Sequence, residues 1–178
     1  MENHHVITGG PGAGKTTLIA ALAAEGYRTV AESGRRIIRA QTAIGGNALH
    51  TGDRRLYAEL MLMQALCDHE DERNHSGPVF FDRGVIDLIG YCRLTGMPVP
   101  EHFRAAVRRY PVNRRVFVAP PWREIYATDG ERKQDFAEAV ATHDAMVAAC
   151  QECGYEPVAL PKTSVAERVA YVLADIAG

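Results

Sequence analysis

The run Gly9-Gly10-Pro11-Gly12-Ala13-Gly14-Lys15-Thr16-Thr17 constrains this chain more than any other stretch. It fits G-x-x-x-x-G-K-[ST], with Gly9, Gly14, Lys15 and Thr16 in register. Glycines let the backbone fold so that successive N–H groups point inward at phosphate oxygens, which Cβ atoms would obstruct. Gly10, Pro11, Gly12, Ala13 and Gly14 are therefore read as the phosphate cradle, continued by Lys15, Thr16 and Thr17. Lys15 can reach the β- and γ-phosphates as a point charge, and the Thr16 hydroxyl is the expected Mg²⁺ ligand. The apolar run over 5–8 predicts a buried strand before the loop, and residues 17–24 a helix after it. Such a helix turns its positive N-terminal end toward the anion. The run predicts binding of a nucleoside triphosphate.

The rest of the chain alternates in the same manner. Strands are expected near 28–32, 78–82, 115–118 and 156–160. Helices are expected near 34–42, 54–69, 85–95, 101–109, 134–152 and 164–176, with Asp53 as an N-cap. This order predicts an α/β, P-loop NTPase three-layer sandwich, with a five-stranded parallel sheet and helices on both faces. A ligand would sit at the carboxyl ends of the strands. The 178 residues suit a single domain over 1–178.

Composition narrows the partners. Hydrophobic content of 47% with 24% charged residues is that of a globular protein, and no apolar run approaches the roughly 20 residues of a membrane span. The expected location is the cytoplasm, with no membrane partner. A net charge of −2 gives no global field for nucleic acid, so none is expected. Lysine occurs only at 15, 133 and 162, so 17 of the 20 basic residues are arginine. Arginine suits bidentate phosphate recognition, although genomic base composition produces the same bias. Cys150 and Cys153 form a lone CxxC without a second ligand pair, which favours packing over zinc or redox chemistry.

Four further places could carry chemistry. Val79-Phe80-Phe81-Asp82 is a hydrophobic strand ending in a carboxylate, where the acid beside Mg²⁺ belongs in a P-loop fold. Arg83 follows it and could hold an acceptor, or pair with Asp82. Asp87 lies one helical turn further, on the helix surface or at the site. Glu32 is expected to end the second strand and face the cleft, where it could accept a proton from an attacking hydroxyl. Arg36, four residues on, would share its face if the helix starts by then. Finally, residues 121–134 are polar and contain the cations Arg123, Arg132 and Lys133. A mobile lid there would bring Arg123 and Arg132 over the γ-phosphate. After the last strand, Pro161-Lys162-Thr163-Ser164 could border the base, or Ser164 could be only an N-cap.

Together these residues resemble the small single-domain "AAA domain" ATPases related to the ribosylnicotinamide kinase domain, and more broadly the P-loop nucleoside and nucleotide kinases. The resemblance rests on Ile7 to Thr17, on Glu32 with Arg35-Arg36, on Phe81-Asp82-Arg83-Gly84, and on Trp122 to Arg132. It implies phosphate and Mg²⁺ binding by Lys15 and Thr16, an acceptor and metal facing Glu32 and Asp82, and lid arginines at 123 and 132. The implied reaction moves the γ-phosphate of Mg-ATP to a small nucleoside- or nucleotide-like acceptor. The alternative is a slow ATPase that acts as a switch with a protein partner. Guanine specificity is disfavoured, because no Asn-Lys-x-Asp motif occurs and Asp87-Leu88-Ile89-Gly90 falls within a helix.

Overall fold

The computed structural model describes residues 3–126 and 135–177. Five strands form one sheet: β1 (His4–Gly9), β2 (Arg28–Val30), β3 (Val79–Asp82), β4 (Arg115–Ala119) and β5 (Glu156–Ala159). Their order is β2-β3-β1-β4-β5, and every pairing is parallel. The central strands β1 and β3 are buried at every position, as a sheet covered on both faces requires.

Side chains alternate across a strand, so one sheet feeds two cores. Val6, Val79, Phe81, Val116 and Val118 face one side. Helices α3 (Arg54–Asp71), α4 (Val85–Leu94), α5 (Glu101–Arg109) and α6 (Phe136–Glu152) supply the rest of that core. Ile7, Phe80, Phe117 and Ala119 face the other side, against α1 (Lys15–Ala24) and α7 (Val165–Ala177). The remaining helix, α2 (Ser33–Ala43), leans on α3. This is the three-layer sandwich the alternating pattern predicts. The edge strands are short, and β5 carries Pro157, which an edge position tolerates.

Local chemistry sets the element ends. Asp53 caps α3 by accepting from Leu56 N–H at 2.9 Å. Ser164 and Glu167 form a reciprocal capping box at the start of α7, so the N-cap reading of Ser164 holds. Helix α1 begins at Lys15, two residues before the apolar run suggests, because the phosphate loop itself makes the first turn. Strand β2 is shorter than expected: it stops at Val30, and Glu32 becomes the N-cap residue of α2. Cys150 is buried against the first core, and burial pushes its thiol up to about 12. Cys153 is pushed up for the same reason. Neither thiol is activated, which agrees with a packing role. No described helix is long and apolar enough to cross a membrane.

Candidate functional site

All the strands point their carboxyl ends at one cleft, where the strand order reverses around β1. Into it come the loop after β1, Glu32 after β2, Asp82 at the tip of β3 and the exit of β4. Asp82 is in register with Ile7, which fixes it beside the root of the loop.

The loop is held from several sides. A Cβ on Gly10 would run into the backbone carbonyl of Ala139, because the first turns of α6 press directly on the loop. Gly12 has φ +68°, and its missing side chain makes room for the Tyr126 ring, 2.5 Å from where a Cβ would stand. Gly10→Ala is expected to push α6 away, destabilising the chain by about 1–3 kcal/mol as overpacking does. It is also expected to weaken ADP binding at least tenfold. Urea unfolding and titration calorimetry check both; wild-type affinity in a folded variant would show that α6 does not hold the loop.

Lys15 is buried at the loop's exit, and its Nζ donates to the carbonyls of Gly9 (3.1 Å) and Gly10 (2.6 Å). Burial pulls its ammonium down to about 7, with Arg83 acting in the same direction. Asp82, Glu32 and Asp87 oppose the shift. Asp82 is buried too, and burial raises its carboxyl against the pull of Lys15 and Arg83. Its Oδ1 has no hydrogen-bond partner among the described residues. Thr16 and Thr17 lie exposed at the start of α1.

Arg83 anchors the other half of the cleft. Its backbone sits at φ +76°, a left-handed conformation that costs a non-glycine residue roughly 1–2 kcal/mol. That turn sends the guanidinium back toward Glu32 Oε1 (3.3 Å) and Asp87 Oδ1 (3.1 Å). Burial works against its charge, but Glu32, Asp87 and Asp82 more than offset it and hold it cationic. Asp87 also accepts from the Thr8 hydroxyl and, at 2.9 Å, from Gly84 N–H. It is thus a buried member of the site and not a surface residue of α4.

Glu32 takes Arg35 as a second partner at 3.4 Å. Arg36, one helical turn further along α2, lies 4.0 Å from Asp68 on α3. Between α2, α3 and α4 opens a pocket of ≈ 630 Å³, its solvent-open mouth included. Glu32, Asp68, Asp82, Arg83 and Asp87 line it together with Val30, Met61 and Phe81.

Most of the expected lid segment, residues 127–134, lies outside the described residues. Arg123 sits on a short 3₁₀ turn, and its guanidinium lies 4.1 Å from the centre of the Phe136 ring at the start of α6. Arg132 and Lys133 lie outside the described residues. Among the described residues no group of three or more His, Cys, Asp or Glu is placed to hold a metal ion. A Mg²⁺ ion carried by nucleotide phosphates needs fewer protein ligands, and the exposed Thr16 hydroxyl and orphaned Asp82 Oδ1 fit that arrangement.

The family model described as "AAA domain" matches residues 4–168. The chain belongs to that family. No curated protein matches it significantly. Among solved structures, this AAA-domain chain is similar to a NadR protein in complex with NR, with a TM-score of 0.72 and 22% identity. That match covers 98% of the chain and 51% of NadR. A second NadR structure, with NAD and AMP-PNP, gives 0.69 and 19% over 99% of this chain and 50% of that one. Deoxyadenosine kinase from M. mycoides, with dCMP and dCDP bound, gives 0.65 and 12% over 98% of each chain. The chain therefore spans about half the length of the NadR proteins it resembles. At these identities the likeness establishes the fold, which is that of P-loop nucleoside kinases.

Proposed function

We propose that this chain is a Mg-ATP-dependent kinase that phosphorylates a hydroxyl group of a small, nucleoside-like acceptor. The observation that carries the reading is the Glu32–Arg83 pair, 3.3 Å apart, in a pocket adjoining the phosphate loop. A carboxylate there can take a hydroxyl's proton, and its tie to Arg83 keeps it aimed. The similar NadR and deoxyadenosine kinase structures hold NR, AMP-PNP and deoxynucleotides, which supports the same class of substrates.

The chemistry follows from charge. Loop N–H groups bind the β- and γ-phosphates, and Lys15 exchanges two carbonyl acceptors for phosphate oxygens. Thr16 and Asp82 would hold Mg²⁺, which neutralises negative charge on the phosphates when bound. The acceptor oxygen forms a bond to the γ-phosphorus as the bond to the β–γ bridging oxygen breaks. Its proton passes to Glu32 and then to solvent, and ADP leaves. Arg123, now over the Phe136 ring, and Arg132 would bring positive charge to the γ-phosphate from the lid.

A hydroxyl acceptor suits the pocket better than a phosphate acceptor. Four carboxylates line it, while Arg83 is engaged by Glu32 and Asp87 and Arg36 by Asp68. A monophosphate would meet net negative charge there. ADP formation from Mg-ATP should be measured with nucleosides, nucleoside monophosphates and small sugars as acceptors. A nucleoside is expected to raise turnover at least tenfold over the acceptor-free rate, and its monophosphate is not. Stimulation by monophosphates alone would overturn the hydroxyl reading. ATP binding with slow turnover that nothing stimulates would favour the regulatory ATPase instead.

A further inference from the structure

Arg168 on α7 is a fully buried arginine, 2% exposed, and no carboxylate among the described residues pairs with it. A buried charge without a counter-charge is among the most expensive groups a fold can hold, and an apolar residue of similar volume would pack there at lower cost. Its contacts explain where it acts. Nη1 donates to the carbonyl of Ala13 in the phosphate loop (3.0 Å), and Nε donates to the carbonyl of Pro161 after β5 (2.9 Å). The guanidinium carbon lies 5.4 Å from the centre of the Trp122 ring, just after β4. Its Nη2 is buried and has no hydrogen-bond partner among the described residues. Burial draws its ionisation downward, as expected without a carboxylate.

We propose that Arg168 is a positioning residue for the nucleotide, acting through the phosphate loop and tying together the three segments at the exits of β1, β4 and β5. The inference rests on the nucleotide-binding reading above. Its core is peptide geometry. The Ala13 carbonyl and the Gly14 N–H belong to one planar trans peptide, so they point in opposite directions. Fixing the carbonyl on Arg168 aims the Gly14 N–H away from it, toward the concave side of the loop where phosphate oxygens bind. The guanidinium then stands behind the loop with a positive charge that no described carboxylate balances and that bound phosphates would. Ser164 and Glu167 set the start of α7 and so the height at which Arg168 meets the loop.

Arg168→Met keeps the bulk and removes both charge and donors. ADP affinity measured by titration calorimetry is expected to fall at least tenfold, while the urea midpoint holds or rises. Arg168→Lys, which keeps the charge but cannot fork to both carbonyls, is expected to recover part of that loss. Wild-type affinity in a folded Arg168→Met would overturn the inference. Lost stability with unchanged affinity would also overturn it, since a purely structural arginine behaves that way. Should Arg168→Met not fold, Arg168→Gln serves, and wild-type ADP affinity in it overturns the inference equally. A wild-type chain that binds no ADP would overturn the nucleotide reading itself, and that outcome is seen before any variant is made.

Discussion

Lys15→Met is expected to slow phosphoryl transfer by about 10²–10³ and, at the same time, to make the chain harder to unfold. The amine is buried, and its ionisation falls to about 7. Removing one preorganised charge from a transition state of this kind typically lowers kcat by about 10²–10³. Stability moves the other way. Between pH 7 and the usual lysine range near 10.5, the unfolded chain holds a proton that the folded chain has released. Stability therefore rises with pH across that window, and the penalty is fully present below pH 7. Its size is on the order of 3 kcal/mol between pH 7 and 9, from two units of pH on a single group. Methionine removes both the penalty and the slope. Urea midpoints at pH 7 and 9 for both chains provide the test. Parallel pH dependence in the two would show that Lys15 is not the group responsible. Triphosphate binding should likewise draw a proton onto Lys15 near pH 8. Calorimetry in buffers of different ionisation enthalpy would detect it.

Glu32→Gln is expected to lower kcat by about 10²–10⁴, the usual contribution of a general base, with ATP affinity unchanged. Glu32 is the N-cap of α2, yet its side chain makes no capping hydrogen bond there. It faces Arg83 and Arg35 instead. A glutamine keeps the shape and can still accept from Arg83, so the acceptor's KM should change little. Asp82→Asn offers the contrast. It touches the proposed metal position, so its loss should vary with Mg²⁺ concentration, whereas that of Glu32→Gln should not. A Glu32→Gln chain with more than half of wild-type kcat would remove Glu32 as the base.

Two residues at this site break local rules, and both breaks serve the cleft. Serine, threonine, aspartate or asparagine usually occupies the N-cap, but at α2 that position is Glu32. Arg83 adopts a backbone conformation that glycine prefers, although Gly84 stands next to it. Local preference would have predicted neither. Each persists because the surrounding structure holds it, the usual situation at functional sites.

Much of the architecture was legible in one dimension. The loop from Gly9 to Thr17 largely specifies its own backbone, because Gly9, Gly12 and Gly14 take positive φ, whereas the need for glycine at Gly10 comes from Ala139 on α6. The apolar stretches around it carry the signal of buried strands and helices, but which face Val6 or Ile7, Phe80 or Phe81, packs against came only with the structure. Lys15, Thr16, Asp82 and Glu32 were readable as cleft residues because each sits in the loop, at a strand tip or in the short link after a strand, where topology sends it to the cleft. That Arg35 meets Glu32 while Arg36 lies by Asp68 depended on how α3 packs beside α2, which periodicity does not resolve. The buried role of Asp87 required Thr8, 79 positions away, to supply the other half of its hydrogen bond. Arg168 was invisible, since it reads as one polar residue on an amphipathic helix until the fold lays α7 behind a loop 155 residues earlier. Local sterics and hydrophobic period are written residue by residue, so the sequence alone determined the fold and the phosphate loop. Partners of buried charges come from distant segments, so only the tertiary structure decided how the site is held.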